Sequence, residues 1–189
     1  MRILVAGGGG FIGGHLVKAL VADGHEVRSV DVKPIDQWWQ QHPQVENWAD
    51  TDLMDADACR RATVGVDQVF NLAADMGGMG FIENNKAACM LSVLISTHLL
   101  QAAVENDVER LFYASSACVY AAEHQTDPNV TALKEGDAYP AMPEDGYGWE
   151  KLFSERMARH FREDYGIQTR MARFHNVYGP NGSWTGGRE

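Results

Sequence analysis

The stretch that most constrains this chain lies at its start. Ile3-Leu4-Val5-Ala6, a short apolar run, passes directly into Gly7-Gly8-Gly9-Gly10-Phe11-Ile12-Gly13. Gly7, Gly10 and Gly13 are spaced G-x-x-G-x-x-G, a variant of the dinucleotide-binding fingerprint. Glycine is needed there so that backbone can approach a pyrophosphate closely. The helix that opens at Phe11 and Ile12 adds unpaired N–H groups and a favourable dipole. A tight turn in a glycine-rich chain is the competing reading, and the strand–turn–helix context argues against it.

The rest of the chain repeats that alternation. Strands are predicted over Ile3–Ala6, His25–Asp31, Val45–Ala49, Gln68–Leu72, Arg110–Ser115 and Ile167–Phe174. Helices are predicted over Phe11–Asp23, Asp55–Thr63, Glu83–Asn106 and Tyr147–Tyr165. Ala121 to Gly146 is polar, holds three prolines and is expected to be a surface loop covering a site. Strands alternating with helices specify an α/β class, a doubly wound parallel sheet of about six strands (the Rossmann arrangement), in one domain spanning residues 1–189.

Composition narrows the partners. The formal charge is −10, with 16 basic against 26 acidic residues, which argues against nucleic acid because such binding rests on clustered Lys and Arg. No apolar run is read as reaching the roughly 20 residues that span a bilayer, so no membrane is expected and a cytoplasmic location is. Cys59, Cys89 and Cys118 are too widely spaced for a metal cluster or a disulfide framework.

Asp31 falls 18 residues after Gly13, at the end of the second predicted strand. A carboxylate there can bind both ribose hydroxyls and would repel a 2′-phosphate, which favours NAD over NADP. Asp52-Leu53, after the third strand, is placed either to reach the adenine or, for Asp52, to cap the following helix. Both roles stay open.

Tyr147-Gly148-Trp149-Glu150-Lys151 is a Y-x-x-x-K spacing, and residues four apart share a helical face. An ammonium beside a phenol lowers its pKa from about 10, which makes Tyr147 a candidate base for a hydroxyl proton while hydride leaves for nicotinamide. Ser116 ends a predicted strand, where ligands of these folds bind, and it can hydrogen-bond the same hydroxyl. A strand-end turn is its competing role.

Taken in order, the glycine loop, Asp31, Asn71-Leu72-Ala73-Ala74, Ser116 and Tyr147/Lys151 resemble the extended short-chain dehydrogenase/reductase family along the whole chain. Three stretches are most similar to its GDP-mannose 3,5-epimerase branch: Ala73 to Ile82 with its Met-Gly-Gly-Met run, Tyr113 to Tyr120 around Cys118, and Arg173 to Pro180 followed by Gly186-Gly187-Arg188-Glu189. The resemblance implies NAD held also by Leu72, Ala73, Ala74, Tyr147 and Lys151. It implies a nucleotide sugar contacted by Gly77, Ser116, Ala117, Cys118, Asn176 and Glu189, with residues 175–189 opening the substrate-binding region.

The mechanism it implies is transient. Hydride passes from C4 of the sugar to NAD, with Tyr147 as base and Lys151 and Ser116 in support. Cys118 then removes a proton from C3 or C5, a lysine returns one on the opposite face, and the ketone is reduced again. Without the resemblance, Cys118 reads as a small buried hydrophobe. In that branch the lysine follows the Gly-Gly-Arg-Glu string, and a C-terminal substrate domain comes after it. Both would lie past Glu189, so the expectation for these 189 residues is NAD binding without full turnover, completed by a further domain or a second copy. A stand-alone NAD-binding module, or a 4-epimerase or 4,6-dehydratase relative, are the alternatives.

Overall fold

Side-chain alternation in Ile3-Leu4-Val5-Ala6 decides where the helices go. All four are buried, Leu4 and Ala6 in one cluster and Ile3 and Val5 in another. The computed structural model describes residues 1–124 and 132–182. Its strands are β1 (Arg2–Ala6), β2 (Glu26–Val30), β3 (Glu46–Trp48), β4 (Gln68–Asn71), β5 (Arg110–Ser116) and β6 (Gln168–Phe174). They form one parallel sheet ordered β3-β2-β1-β4-β5-β6, so the chain reverses direction across the sheet between β1 and β4.

Helix α1 (Phe11–Ala22) packs Val17 and Leu20 on the Ile3/Val5 side. Helices α2 (Ala56–Thr63), α5 (Val93–Glu105) and α6 (Asp145–Tyr165) cover the Leu4/Ala6 side through Ala58, Cys59, Leu99, Leu100 and Ala158. Each fully buried Leu there contributes roughly 1.5–3 kcal/mol. On the α1 side, the row Phe70, Phe112, Phe174 runs across β4, β5 and β6 with ring centroids 5.6 and 6.2 Å apart, and these rings are only half-buried. Arg28, buried in β2, serves the end of α2: it donates to the carbonyls of Ala62 at 2.6 Å and Val64 at 3.2 Å while Glu46 neutralises it.

The predicted helix Glu83–Asn106 is in fact three pieces: α3 (Met79–Asn84), α4 (Lys86–Leu91) and α5. Asn84 and Asn85 turn their amides back onto the carbonyls of Gly80 and Phe81, an alternative to helical pairing that breaks the run there. Ser92 marks the second break, and its hydroxyl accepts the Asp75 N–H at 2.9 Å. This region also corrects the reading of the apolar runs. Lys86–Glu105 is long and apolar enough by length and composition to cross a membrane. In the fold its inner face, Ile95, Leu99, Leu100, Ala102 and Ala103, is core.

The expected surface loop at Ala121–Gly146 is partly interior among the described residues. Ala121 pairs with Pro143, and Ala138 is fully buried with Val119, Tyr120 and Leu152. Helix α6 starts two residues before Tyr147, anchored to α4 by the Lys86–Asp145 ion pair at 2.7 Å. Its close seat on the chain after β5 depends on Gly148, where a Cβ would stand 2.3 Å from the Cys118 carbonyl oxygen.

Gly148→Ala therefore tests the seat of α6. In an unobstructed helix interior the change would stabilise by about 1 kcal/mol. Here overpacking costs about 1–3 kcal/mol and should prevail, read as a lower urea midpoint at unchanged slope. A stabilised variant would mean that α6 does not lie this close.

Candidate functional site

The site is assembled from the carboxyl ends of β1, β2, β4 and β5 and from the first turns of α6, the location such sheets use for ligands. At the end of β1, Gly7 has φ +83 and takes the Val30 carbonyl with its N–H at 2.8 Å. A Cβ on Gly7 would touch the backbone of Leu72 and Ala73 at 3.0 Å, and one on Gly13 would stand 2.0 Å from the Gly7 carbonyl oxygen. The fingerprint glycines thus bring α1 onto the β1–β4 crossing with no side chain between. Gly10 is the N-cap of α1, with no side-chain cap and no acid in the first turn. The N–H groups of Phe11, Ile12 and Gly13 have no partners within the helix, and a free first turn of this kind favours an anion.

Asp31 is buried at the end of β2, with Oδ1 accepting the Lys33 N–H at 3.0 Å, which leaves its second oxygen for a ribose hydroxyl. These features fit a dinucleotide. Asp52 is exposed and its Oδ1 accepts the Met54 N–H, while the cap of α2 is Asp55. Of the two roles considered for Asp52, the cap is excluded. Leu53 turns its side chain into the core at 3% exposure, so what it offers a cofactor is backbone. Leu72, Ala73 and Ala74 follow β4 half-buried beside Gly7, and Gly77 lies just before α3.

Ser116, Cys118, Tyr147 and Lys151 come together. Ser116 Oγ accepts the Cys118 N–H at 3.2 Å, and its hydroxyl also hydrogen-bonds Tyr147. Cys118 and Tyr147 share an apolar cluster with Phe81 and Ile82 of α3 and Cys89 of α4. Ala117 adjoins this pair, half-buried against Val119 and Leu152. Lys151 is buried, with Nζ donating to the Ala114 carbonyl at 3.1 Å and lying 5.4 Å from the Tyr147 ring centre.

Electrostatics differ from the expectation in one respect. The Tyr147 phenol is held well above its ordinary value, not below it. Burial is the main cause, Cys118 adds to it, and the Ser116 hydrogen bond only partly offsets both. Spacing alone had shown the lysine and not the dry pocket. Burial likewise pushes the Cys118 thiol up, with the half-buried Glu144 carboxylate adding to the effect.

Asn176 lies on exposed chain past β6, and Glu189 lies outside the described residues. The segment after β6 is tied to α1 through His15 and the Pro180 carbonyl at 2.8 Å. Three features escaped the sequence reading. Trp38 is buried and its ring lies 2.7 Å from where a Gly9 Cβ would be. Glu150 is buried beside Lys151. Arg173 forms a two-pronged pair with Glu155 at 2.8 and 2.9 Å, joined by the Ser115 hydroxyl at 2.5 Å, which locks β6 to α6. The Y-G-x-x-K glycine was the available signal for tight packing at Gly148; acids on a charged helix gave none.

Known proteins place this geometry. The model of the NAD dependent epimerase/dehydratase family matches residues 3–188. GDP-mannose 3,5-epimerase 1 of Oryza sativa subsp. japonica is 47% identical over all of this chain and 50% of its own length. The GDP-mannose 3,5-epimerase of Arabidopsis thaliana is 44% identical with the same coverage. The chain thus spans about half the length of the curated relatives it matches. Among solved structures, the Thermus thermophilus UDP-glucose 4-epimerase complex with NAD superposes with a TM-score of 0.84 at 27% identity, covering 98% of this chain and 58% of that one. The family's cofactor is NAD, which the glycine loop and Asp31 fit. The chain belongs to the NAD dependent epimerase/dehydratase family.

Proposed function

We propose that this chain is the cofactor-binding, redox half of a nucleotide-sugar epimerase that inverts C3 and C5 of GDP-mannose. The observation that carries the reading is the grouping of Cys118 with Ser116, Tyr147 and Lys151 at one strand end. An enzyme that only oxidises and re-reduces C4 has no task for a carbon base there. The relatives at 44–47% identity that bear the GDP-mannose 3,5-epimerase name support the same substrate.

When bound, NAD supplies the reversible hydride acceptor for C4. Tyr147 takes and returns the C4 hydroxyl proton, with Ser116 fixing its phenol and Lys151 adding positive charge. Once C4 is a ketone, the neighbouring C–H bonds are acidified and the Cys118 thiolate is the base. Burial and Glu144 keep that thiol mostly protonated at neutral pH. A further domain would supply the opposing proton donor and the groups that grip the nucleotide phosphates. The half-buried Phe70–Phe112–Phe174 row is a face such a domain would cover. A second copy is the partner for the exposed Met90, Leu91, Trp149 and Phe153 on neighbouring α4 and α6.

Incubation of the purified chain with NAD and GDP-mannose in D2O, followed by mass spectrometry, tests the chemistry. Deuterium should enter at C3 or C5 and should be lost in Cys118→Ser. NAD binding without any deuterium would leave a stand-alone binding module. Because the thiol titrates above its ordinary range of about 8.5, exchange should quicken as pH rises through and beyond that value. A rate that is flat from pH 7 to 10 would remove Cys118 as the base. Iodoacetamide at pH 8 should label Cys118 slowly and leave Cys59, with its pKa pushed up to about 12 by burial, and buried Cys89 untouched. Labelling of Cys59 before Cys118 would contradict this placement.

A further inference from the structure

Glu150 lies between Tyr147 and Lys151 in sequence, and its side chain is 1% exposed. Its Oε1 accepts hydrogen bonds from the Tyr113 hydroxyl at 3.1 Å and the Ser154 hydroxyl at 2.9 Å. Its Oε2 is buried without a hydrogen-bond partner and stands 3.7 Å from Lys151 Nζ, which is itself sealed from solvent. Tyr113 and Ser154 therefore hold one oxygen so that the other faces the ammonium.

A lone buried lysine loses its proton easily, since burial can lower its pKa by up to about 3–5 units, whereas an opposite charge within about 4–6 Å returns roughly 1–3. The other groups around Lys151 Nζ are the Ala114 carbonyl at 3.1 Å, the rings of Tyr113 and Tyr147 at 4.9 and 5.4 Å, and the Cys118 and Cys89 thiols. Both phenols are pushed up by burial and stay neutral. None of these supplies a negative charge at neutral pH, so that charge falls to Glu150.

We propose that Glu150 is a positioning residue for Lys151: its fixed, buried carboxylate holds Lys151 in the ammonium form at the strand end where Ser116 and Tyr147 meet. Its value for catalysis rests on the epimerase reading, while its effect on Lys151 does not. The net direction at Lys151 is consistent with it, because burial lowers this lysine and Glu150 opposes that fall.

The test uses the full chain with 15N-labelled lysine, which has only five such side chains, and a Lys151→Arg variant to identify the signal. Lys151 should remain cationic at pH 7 in the unsubstituted protein. Glu150→Gln keeps an acceptor for Tyr113 and Ser154 but removes the charge, and should move the Lys151 titration roughly 1–3 pH units lower. A purely structural role would leave that titration in place, and an unchanged midpoint in folded Glu150→Gln overturns the proposal. If that variant does not fold, the unsubstituted protein decides alone, since a Lys151 already neutral at pH 7 overturns it. A chain without deuterium exchange counts against the epimerase reading only, and the lysine titration still decides this one.

Discussion

Backbone meets backbone without an intervening side chain where α1 lies on the β1 turn, and the placement of the cofactor end of the site depends on that contact. A single methyl at Gly13 would sit 2.0 Å from the Gly7 carbonyl oxygen, far inside any tolerable separation. The helix N-terminus would have to withdraw, and the unpaired N–H groups of its first turn would lose their aim at a pyrophosphate. The same device recurs at the other end of the site, where Gly148 lets α6 reach the Cys118 carbonyl. Two close approaches, one per helix, bring a dinucleotide and a Tyr–Lys pair to the same edge of one sheet.

Charge burial is the second constraint. An acidic chain with a net charge of −10 keeps several ionised groups inside, each with a partner: Arg28 with Glu46, Arg173 with Glu155, Lys151 with Glu150. Replacing such a pair by well-packed apolar residues is often neutral or stabilising, so stability alone does not explain them. What they supply is direction. Arg28 closes the end of α2, Arg173 fixes β6 against α6, and Glu150 faces Lys151 from a carboxylate that two hydroxyls hold still. Removing one partner is a different matter, since the charge left behind costs about 3–5 kcal/mol.

The sheet was legible because its signals are local. Apolar runs, the glycine spacing and Asp31 each report on a few residues, and the six strands lie where those signals put them. The Ser116, Cys118, Tyr147 and Lys151 positions were legible by motif. Breaks in the long helix were not, because they arise where Asn84 and Asn85 bond their own backbone and Ser92 bonds a distant N–H. The direction of the Tyr147 shift was misread for a related reason: spacing reveals a neighbouring charge, whereas desolvation depends on what every other element covers. The Lys86–Glu105 run shows the limit from the opposite side, since an uninterrupted apolar stretch states how much surface wants burial and not what buries it.

These constraints divide the labour within the site. Among the described residues, Ser116, Cys118, Tyr147 and Lys151 are mounted just at or after a strand end and in the opening turns of one helix, where packing fixes their side chains. The dry pocket also has a cost. It raises Tyr147 and Cys118 together, and added positive charge would favour the ionised form of each. Lys151 is the cation already present, and it survives burial only with help. The charge on Lys151 is thus the local counterweight to the burial of both groups.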